Sequence, residues 1–271
     1  MQGNTVVVPV RSATDRIAPS GPDLVAVEEP LEIILNGQPL VVTMRTPGHD
    51  EDLVRGYLYT EGVIERTAQI QSLARARDSQ ARQDGNRMLV TLAPGCSIDP
   101  ERLNRVGFMN SSCGICGKTS IASLEPLLRD SLPREMPIVP AALIHSLPAR
   151  LRESQPVFAR TGGLHAAALF SAAGELLILR EDIGRHNAVD KLIGAALAHG
   201  TLKMRESIML VSGRAGFELV QKALVAGLPV MAAVGAPSSL AVAAALRFGM
   251  TLLGFVRDSR FNIYSGEWRI T

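Results

Sequence analysis

The sequence is poor in cysteine: its 271 residues include only Cys96, Cys113 and Cys116. An odd number of cysteines in a chain of this length does not form the disulfide framework of a small secreted protein. With 46% hydrophobic residues, the chain can instead draw its stability from a buried core. We therefore expect a reduced protein of the cytoplasm.

The sequence also has little excess charge and no long uninterrupted apolar run. A formal net charge of +2 gives no reason to expect nucleic acid as a partner. The first residues carry neither a basic start nor a sustained apolar stretch, so we identify no signal peptide. The uncharged run between Lys222 and Arg247 contains Pro229 and Pro237, which favours two short elements over a membrane span.

The N-terminal half divides into a polar tail and a small α+β domain. Residues 1–22 predict a flexible tail, and residues 23–135 a domain that ends in the cysteine loop. Alternating apolar residues on both sides of Asn36-Gly37 predict a β-hairpin. The following segment, RTPGHDEDL, predicts a helix capped by Thr46 or Asp50.

The C-terminal half, residues 136–271, alternates short apolar runs with helical segments. Such runs are typical of strands covered on both faces, so we predict a three-layer α/β domain. Its strands should end at one edge of the sheet, at REDIGRHN, SGRAGFE, GAPSS and RDSRFNIY. We expect a ligand at that edge.

Three of these loops begin helices, where free backbone N–H groups favour anions. Arg185 and His186 start the first helix, Arg214 precedes the second, and Ser238 and Ser239 start the third. Each signal is weak alone, but together they favour a phosphate-bearing, nucleotide-like ligand. The segment TGGLHAA adds paired glycines, which allow either close approach to a ligand or a tight turn.

The segment SSCGICGK has four possible meanings. Its thiols could be incidental, could bind zinc, could form a redox pair, or could carry sulfur as a persulfide. Zinc needs four ligands, and only one other thiol exists. Nearby glycines and Lys118 suit a mobile thiolate. Residue chemistry alone leaves the carrier and the redox pair equally open.

A zinc deaminase is excluded by the residues themselves. That chemistry uses H-x-E on one helix and P-C-x-x-C on the next. Ala188 stands where the glutamate of the first motif would be, and no cysteine follows Cys116.

Seven motifs together resemble one family. They are RTPGHDEDL, SSCGICGK, FARTGGLHAA, REDIGRHNAVDKLIG, SGRAGFELVQKALVAGLPV, APSSLAVAAA and GFVRDSRFNIYS. In this order, over about Pro30 to Ser265, they resemble the formate dehydrogenase accessory sulfurtransferase family of the FdhD/NarQ type. One departure is Ala215-Gly216, where the family commonly has a hydroxyl residue and serine.

The resemblance implies a cytidine-deaminase-like C-terminal domain and a sulfurtransferase function. Sulfur would come from a cysteine desulfurase and pass to the molybdenum bis-guanine-dinucleotide cofactor, which is then delivered to formate dehydrogenase. GDP would mimic one arm of that cofactor, and a cofactor with two similar arms would suit a homodimer. The alternatives are a non-catalytic chaperone for the same cofactor and a general disulfide oxidoreductase. We expect no metal ligands, nucleic acid or membrane partner.

The resemblance also assigns residues. Cys113 matches the persulfide cysteine, Cys116 its CxxC partner, and Phe255 to Arg260 a cofactor-binding segment. With the predicted edge loops, the candidate cofactor contacts are Thr161, Gly162, Gly163, His165, Asp182, Gly184, Arg185, His186, Asn187, Ser212, Gly213, Arg214, Ser238, Ser239, Phe255, Val256, Arg257, Asp258, Ser259 and Arg260.

Overall fold

A computed structural model describes residues 3–15, 17, 19–77, 83–96, 121–128, 130–200, 203–257 and 259–271. The strands are β1 (Thr5–Val10), β2 (Gly21–Ala26), β3 (Glu29–Leu35), β4 (Gln38–Arg45), β5 (Ile70–Arg77), β6 (Gln83–Leu92), β7 (His165–Ser171), β8 (Leu176–Asp182), β9 (Ser207–Val211), β10 (Val230–Ala233), β11 (Thr251–Arg257) and β12 (Arg260–Ser265). The α-helices are α1 (Asp50–Thr60), α2 (Ala141–Glu153), α3 (Pro156–Thr161), α4 (Arg185–His199), α5 (Phe217–Val225) and α6 (Ser239–Phe248). Short 3₁₀ turns cover Thr67–Gln69, Ile121–Leu127, Met204–Glu206 and Glu267–Arg269.

The N-terminal sheet has the strand order β4-β3-β6-β5. The predicted hairpin is confirmed: β3 and β4 pair antiparallel on both sides of Asn36 and Gly37. Both turn residues have positive φ, 49° and 81°, as a type I′ turn requires. β5 and β6 also pair antiparallel, and the parallel pairing of β3 with β6 places them beside the hairpin of β3 and β4.

The prediction for the cap of α1 was wrong. His49 occupies the N-cap position with φ 55°, and its side chain forms no capping hydrogen bond. The Asp50 carboxylate instead accepts hydrogen bonds from Arg45 and Arg75 at 2.7–3.2 Å. Thr46 binds a loop of the other half of the chain. The polar residues of RTPGHDEDL therefore connect parts of the fold instead of capping the helix.

The first 22 residues contain a strand where we predicted a loose tail. β1 pairs antiparallel with β2 over six residue pairs, from Thr5 opposite Ala26 to Val10 opposite Gly21. Ladder hydrogen bonds satisfy the backbone here although half of the β1 side chains are exposed and none is buried.

The C-terminal sheet has the strand order β12-β11-β10-β9-β7-β8. Strands β9, β10 and β11 are parallel, whereas β7, β8 and β12 add antiparallel partners at the two sides. We expected RDSRFNIY to be a loop at the edge, but Arg260–Ser265 forms β12. Among the described residues, no helix is both long enough and apolar enough to cross a membrane.

Two hydrophobic cores cover the two faces of this sheet and confirm the three-layer arrangement. One core includes Ile144 and Leu147 of α2 against Phe170 and Leu210. The other contains α4, α5 and α6 and continues into the N-terminal sheet and α1. The two predicted domains therefore share the second of these cores.

Helices α1 and α4 touch through their backbones. A β-carbon at Gly56 would lie 1.8 Å from the carbonyl oxygen of Asp190, and one at Gly194 would lie 1.9 Å from that of Asp52. Such a close crossing is possible only because both residues are glycine. It fixes the N-terminal half directly against the C-terminal sheet.

We predict that Gly56→Ala destabilises the protein by about 3 kcal/mol. Alanine favours a helix by about 1 kcal/mol over glycine, but the clash with a backbone carbonyl outweighs that gain. Gly21→Ala, where a β-carbon meets nothing within 4 Å, is the control and should change stability by less than about 1 kcal/mol. Chemical denaturation of both variants measures the difference; equal stabilities would contradict the close crossing.

Candidate functional site

The strand order brings the predicted loops to one edge of the C-terminal sheet. β8, β9, β10 and β11 end there, and β7 and β12 begin there, with His165 opposite Asp182. Hydrogen bonds join neighbouring loops: Ser212 N donates to Ala166 O (3.0 Å), Gly235 N to Gly213 O (3.0 Å). Phe255 N in turn donates to Gly235 O at 3.1 Å. The loops thus form one continuous, backbone-connected surface, which we call the loop edge.

Exposed arginines dominate this loop edge. Arg185, Arg214, Arg257 and Arg260 are all exposed. None of the four forms an ion pair with a carboxylate among the residues that the structure describes. Guanidinium groups that are exposed and not paired with a described carboxylate are suited to bidentate binding of phosphate oxygens. The loop edge is therefore chemically fitted to a diphosphate-bearing ligand.

The segment Phe255–Arg257 has an irregular backbone. Phe255 has φ 54°, and the pairing of β11 with β12 shifts register between Gly254 and Arg257. His145 of α2 donates from Nδ1 to the carbonyl oxygen of Arg257 (3.1 Å), and its ring packs on Phe261 at 5.0 Å. This contact fixes the bulge that carries Arg257. Val256 is buried and Ser259 exposed; Asp258 lies outside the described residues.

The paired glycines end α3 and begin the approach to β7. Gly162 adopts φ 65° as the C-cap of α3, and its N–H donates to Phe158 O at 2.7 Å. This is the tight-turn role that the sequence left open. Gly163 is exposed and lies beside Ala26 of β2, so the paired strands β1 and β2 border the loop edge.

Asp182 and Asn187 hold the loop between β8 and α4 in place. Asp182 is fully buried; its carboxylate accepts from Gly184 N (2.8 Å), Asn187 Nδ2 (3.1 Å) and Lys191 Nζ (2.7 Å). Asn187 Nδ2 also donates to Met44 O at 2.7 Å. We predicted both side chains as cofactor contacts. In the structure, Asp182 and Asn187 form their hydrogen bonds with protein groups and hold the loop that carries Gly184 and Arg185.

Thr46 connects the N-terminal half to the loop after β8, a contact that our interpretation of the sequence missed. Its N–H donates to Asp182 Oδ2 (3.2 Å), its hydroxyl accepts from Ile183 N (3.2 Å), and its carbonyl accepts from Lys191 Nζ (2.8 Å). RTPGHDEDL was a recognisable motif, but we favoured a helix cap. The segment in fact supports the loop edge from the N-terminal half.

The serines divide between structural and exposed roles. Ser238 accepts a hydrogen bond from Ala241 N and so caps α6 (3.3 Å). Ser212 Oγ accepts from Ala166 N (2.9 Å). Both hydroxyls keep a proton to donate, and Ser239 is exposed beside them.

Two histidines lie at the loop edge, His165 as the first residue of β7 and His186 in the first turn of α4. His186 Nε2 is 2.7 Å from Glu218 Oε2, in the first turn of α5. This hydrogen bond lowers the pKa of Glu218, against the opposing effect of burial. His165 lies against Gly213; burial and then the charge of Arg185 lower its pKa. His165 therefore tends to stay neutral, while His186 forms a hydrogen bond with a carboxylate.

Cys113 and Cys116 lie outside the described residues, so their placement stays a prediction. Cys96 is a half-buried free thiol packed against the larger core. Within the part of the chain that the structure describes, no group of three or more His, Cys, Asp or Glu side chains could hold a metal ion.

A family model described as the FdhD/NarQ family matches residues 26–271. The chain belongs to the FdhD/NarQ family. It is 50% identical over 254 residues to "Sulfur carrier protein FdhD" of Streptomyces avermitilis, covering 92% of this chain and 89% of the relative. The protein of that name from Mycobacterium tuberculosis is 48% identical over 255 residues, covering 92% of each chain.

A solved structure shares the fold of this FdhD/NarQ member. It is the crystal structure of a protein from Desulfotalea psychrophila assigned as a formate dehydrogenase accessory protein. The TM-score is 0.77, with 24% sequence identity over 99% of this chain and 100% of that chain. At this identity the likeness concerns the fold.

The departure at Ala215-Gly216 has a clear structural setting in this FdhD/NarQ member. Ala215 is fully buried, and its N–H donates to Ala236 O at 3.1 Å. A hydroxyl at that position would face the core. Gly216 is the N-cap of α5 and provides no side-chain cap. The first turn of α5 therefore keeps backbone donors available for a ligand.

A buried ionic cluster supports the loop edge from below. Lys222 Nζ donates to Asp190 (2.9 and 3.0 Å), Glu61 (3.1 Å) and Thr60 Oγ1 (3.0 Å). Burial alone would lower the pKa of Lys222, but the charges of Asp190 and Glu61 outweigh it and raise that pKa. The cluster joins α1, α4 and α5 one turn below Glu218.

We predict that Lys222→Met costs about 3–5 kcal/mol of stability, since it leaves buried carboxylates without their cation. Lys203→Met, which removes an exposed pair with Glu206, should cost less than about 1 kcal/mol. Urea denaturation at neutral pH compares the two variants. A similar small loss in both would contradict the role given to the cluster.

Proposed function

We propose that this protein is a sulfur carrier for the maturation of formate dehydrogenase. It accepts sulfur from a cysteine desulfurase as a persulfide on Cys113 and passes it to the molybdenum bis-guanine-dinucleotide cofactor, which is its substrate. Family membership and the names of the curated relatives support the sulfur-carrier role. The observation that carries the cofactor part is the loop edge, whose exposed arginines pair with no carboxylate in the part of the chain that the structure describes.

The loop edge fits the guanine-nucleotide arms of such a substrate. Arg214 and Arg257 would bind the diphosphate, assisted by backbone N–H groups at the starts of α4 and α5. Gly163 and Gly213 leave room for a ligand beside His165, and Ser239 adds a hydroxyl donor. Asp182, Asn187 and the capping Ser238 would shape these loops.

The sulfur chemistry requires both cysteines of the CxxC segment. The Cys113 thiolate attacks the outer sulfur of the desulfurase persulfide, and the desulfurase cysteine leaves as a thiolate. Cys116 then attacks the inner sulfur on Cys113, which forms a Cys113–Cys116 disulfide and releases sulfide to the cofactor. The two cysteines supply the two electrons that reduce the persulfide sulfur to sulfide, and a cellular dithiol then reduces the Cys113–Cys116 disulfide back to two thiols.

We predict that Cys113→Ala abolishes both the persulfide and the activation of formate dehydrogenase, because the accepting thiol is gone. Cys116→Ser should still gain the mass of one sulfur atom from the desulfurase but fail to release sulfide. Cys96→Ala is the matched control and should behave like the unaltered protein. Intact-protein mass spectrometry and an activation assay read these outcomes.

If the Cys113→Ala variant still activates formate dehydrogenase, the carrier mechanism is contradicted. That result would favour the alternative, a chaperone that binds the cofactor without handling sulfur. Reversible cycling of the CGIC pair without any need for a guanine nucleotide would favour a general disulfide oxidoreductase instead.

We predict that Arg214→Ala and Arg257→Ala each weaken GDP binding about 10- to 100-fold, the loss expected for one charged hydrogen-bonding group. Arg152→Ala removes an exposed arginine of α2 away from the loop edge and should leave GDP affinity unchanged. Calorimetric titration measures the affinities. Equal weakening in all three variants would indicate a general charge effect and not a site.

A further inference from the structure

The contact between His186 and Glu218 has a chemical consequence for ligand binding. A carboxylate only accepts hydrogen bonds, so at 2.7 Å the Nε2 of His186 must carry a proton. The other nitrogen, Nδ1, has no hydrogen-bond partner among the described residues. About a third of each side chain is exposed, 33% for His186 and 38% for Glu218. Nδ1 is thus the nitrogen left for a ligand.

We propose that Glu218 is a positioning residue that makes His186 a proton-dependent contact for the diphosphate of the ligand. Phosphate oxygens, like the carboxylate, accept hydrogen bonds. To bind both at once, the ring must carry protons on Nε2 and Nδ1, which makes it an imidazolium. Ligand binding would therefore take up a proton, and the Glu218 carboxylate would stabilise the resulting charge. This inference rests on the proposed function of the loop edge.

The charges around the pair come from several elements. On α4, Arg185 precedes His186, and across on β7 burial and then the charge of Arg185 lower the pKa of His165. The charge of Asp182 at the end of β8 also acts on His165, although Lys191 pairs with it. Among the described residues near the loop edge, Glu218 is therefore the carboxylate that can balance a protonated His186.

The buried cluster around Lys222 has two opposing effects on the Glu218 carboxyl group. Lys222, one turn further along α5, favours its ionised form, whereas Glu61 beyond the end of α1 opposes that form. The hydrogen bond from His186 is the largest influence and lowers the pKa of Glu218. Glu218 is thus a carboxylate anion over the range in which histidines titrate, around pH 6.5.

The test measures GDP affinity from pH 5.5 to pH 8.5 in four proteins: the unaltered chain, Glu218→Gln, His186→Asn and the double variant. Glutamine keeps the shape and an acceptor for Nε2 but removes the charge. The terminal phosphate of GDP itself titrates near pH 6, so the readout is the ratio of Kd between variant and unaltered protein, in which that titration cancels. Glu51→Gln, an exposed carboxylate on α1, is the control.

We expect the Kd ratio for Glu218→Gln to be near one at pH 5.5, where both proteins hold a protonated ring. It should rise to about tenfold near pH 7 and fall again at pH 8.5. For His186→Asn the ratio should be largest at low pH. The double variant should bind no more weakly than His186→Asn alone, because Glu218 acts through the ring.

A Glu218→Gln ratio that stays constant across the pH range would overturn the inference, since a purely structural effect has no pH dependence. Additive losses in the double variant would also overturn it. Both outcomes leave the diphosphate site intact. Failure of the unaltered protein to bind GDP at any pH would instead show that the loop edge is not a nucleotide site, and the inference would fall with it.

Discussion

The close crossing of α1 and α4 is the constraint on which the rest of the structure depends. Backbone meets backbone at Gly56 and Gly194, and the shared core forms around that contact. Because the helices cannot separate without exposing this core, the N-terminal half is held at a fixed distance from the C-terminal sheet. The polar contacts of Thr46 with the loop after β8 form only at that distance.

From this crossing, polar interactions lead to the loop edge. Lys222 ties α1, α4 and α5 together in the interior, and Asp182 orders the loop that presents Arg185. The charges of Lys191 with Asp182 and of Lys222 with Asp190 are neutralised in the interior. The loop-edge arginines, which have no carboxylate partners among the described residues, are exposed. Buried ion pairs are weak evidence for stability in general. In this protein, the contacts of Asp182 and Lys222 hold α4 and α5 so that the starts of both helices face a ligand at the loop edge.

Much of this arrangement could be predicted from local sequence patterns. Asn36-Gly37 specified a hairpin through turn chemistry, and the alternation of apolar runs with helical segments predicted the three layers and their common edge. The cap of α1, the β1 strand and β12 were missed, since each depends on a partner distant in sequence or on an exposed ladder with no apolar pattern. Glu218 and Thr46 were missed for the same reason: each gains its role from a residue on another element.

We propose above all that the loop edge binds the guanine diphosphate of a cofactor substrate to which Cys113 delivers sulfur. A crystal structure of the protein with GDP bound tests it most directly. The account predicts the diphosphate between Arg214 and Arg257, with His186 in contact and Cys113 facing the nucleotide. GDP bound elsewhere, for example against the outer face of α2, with the loop-edge arginines facing solvent, would contradict it.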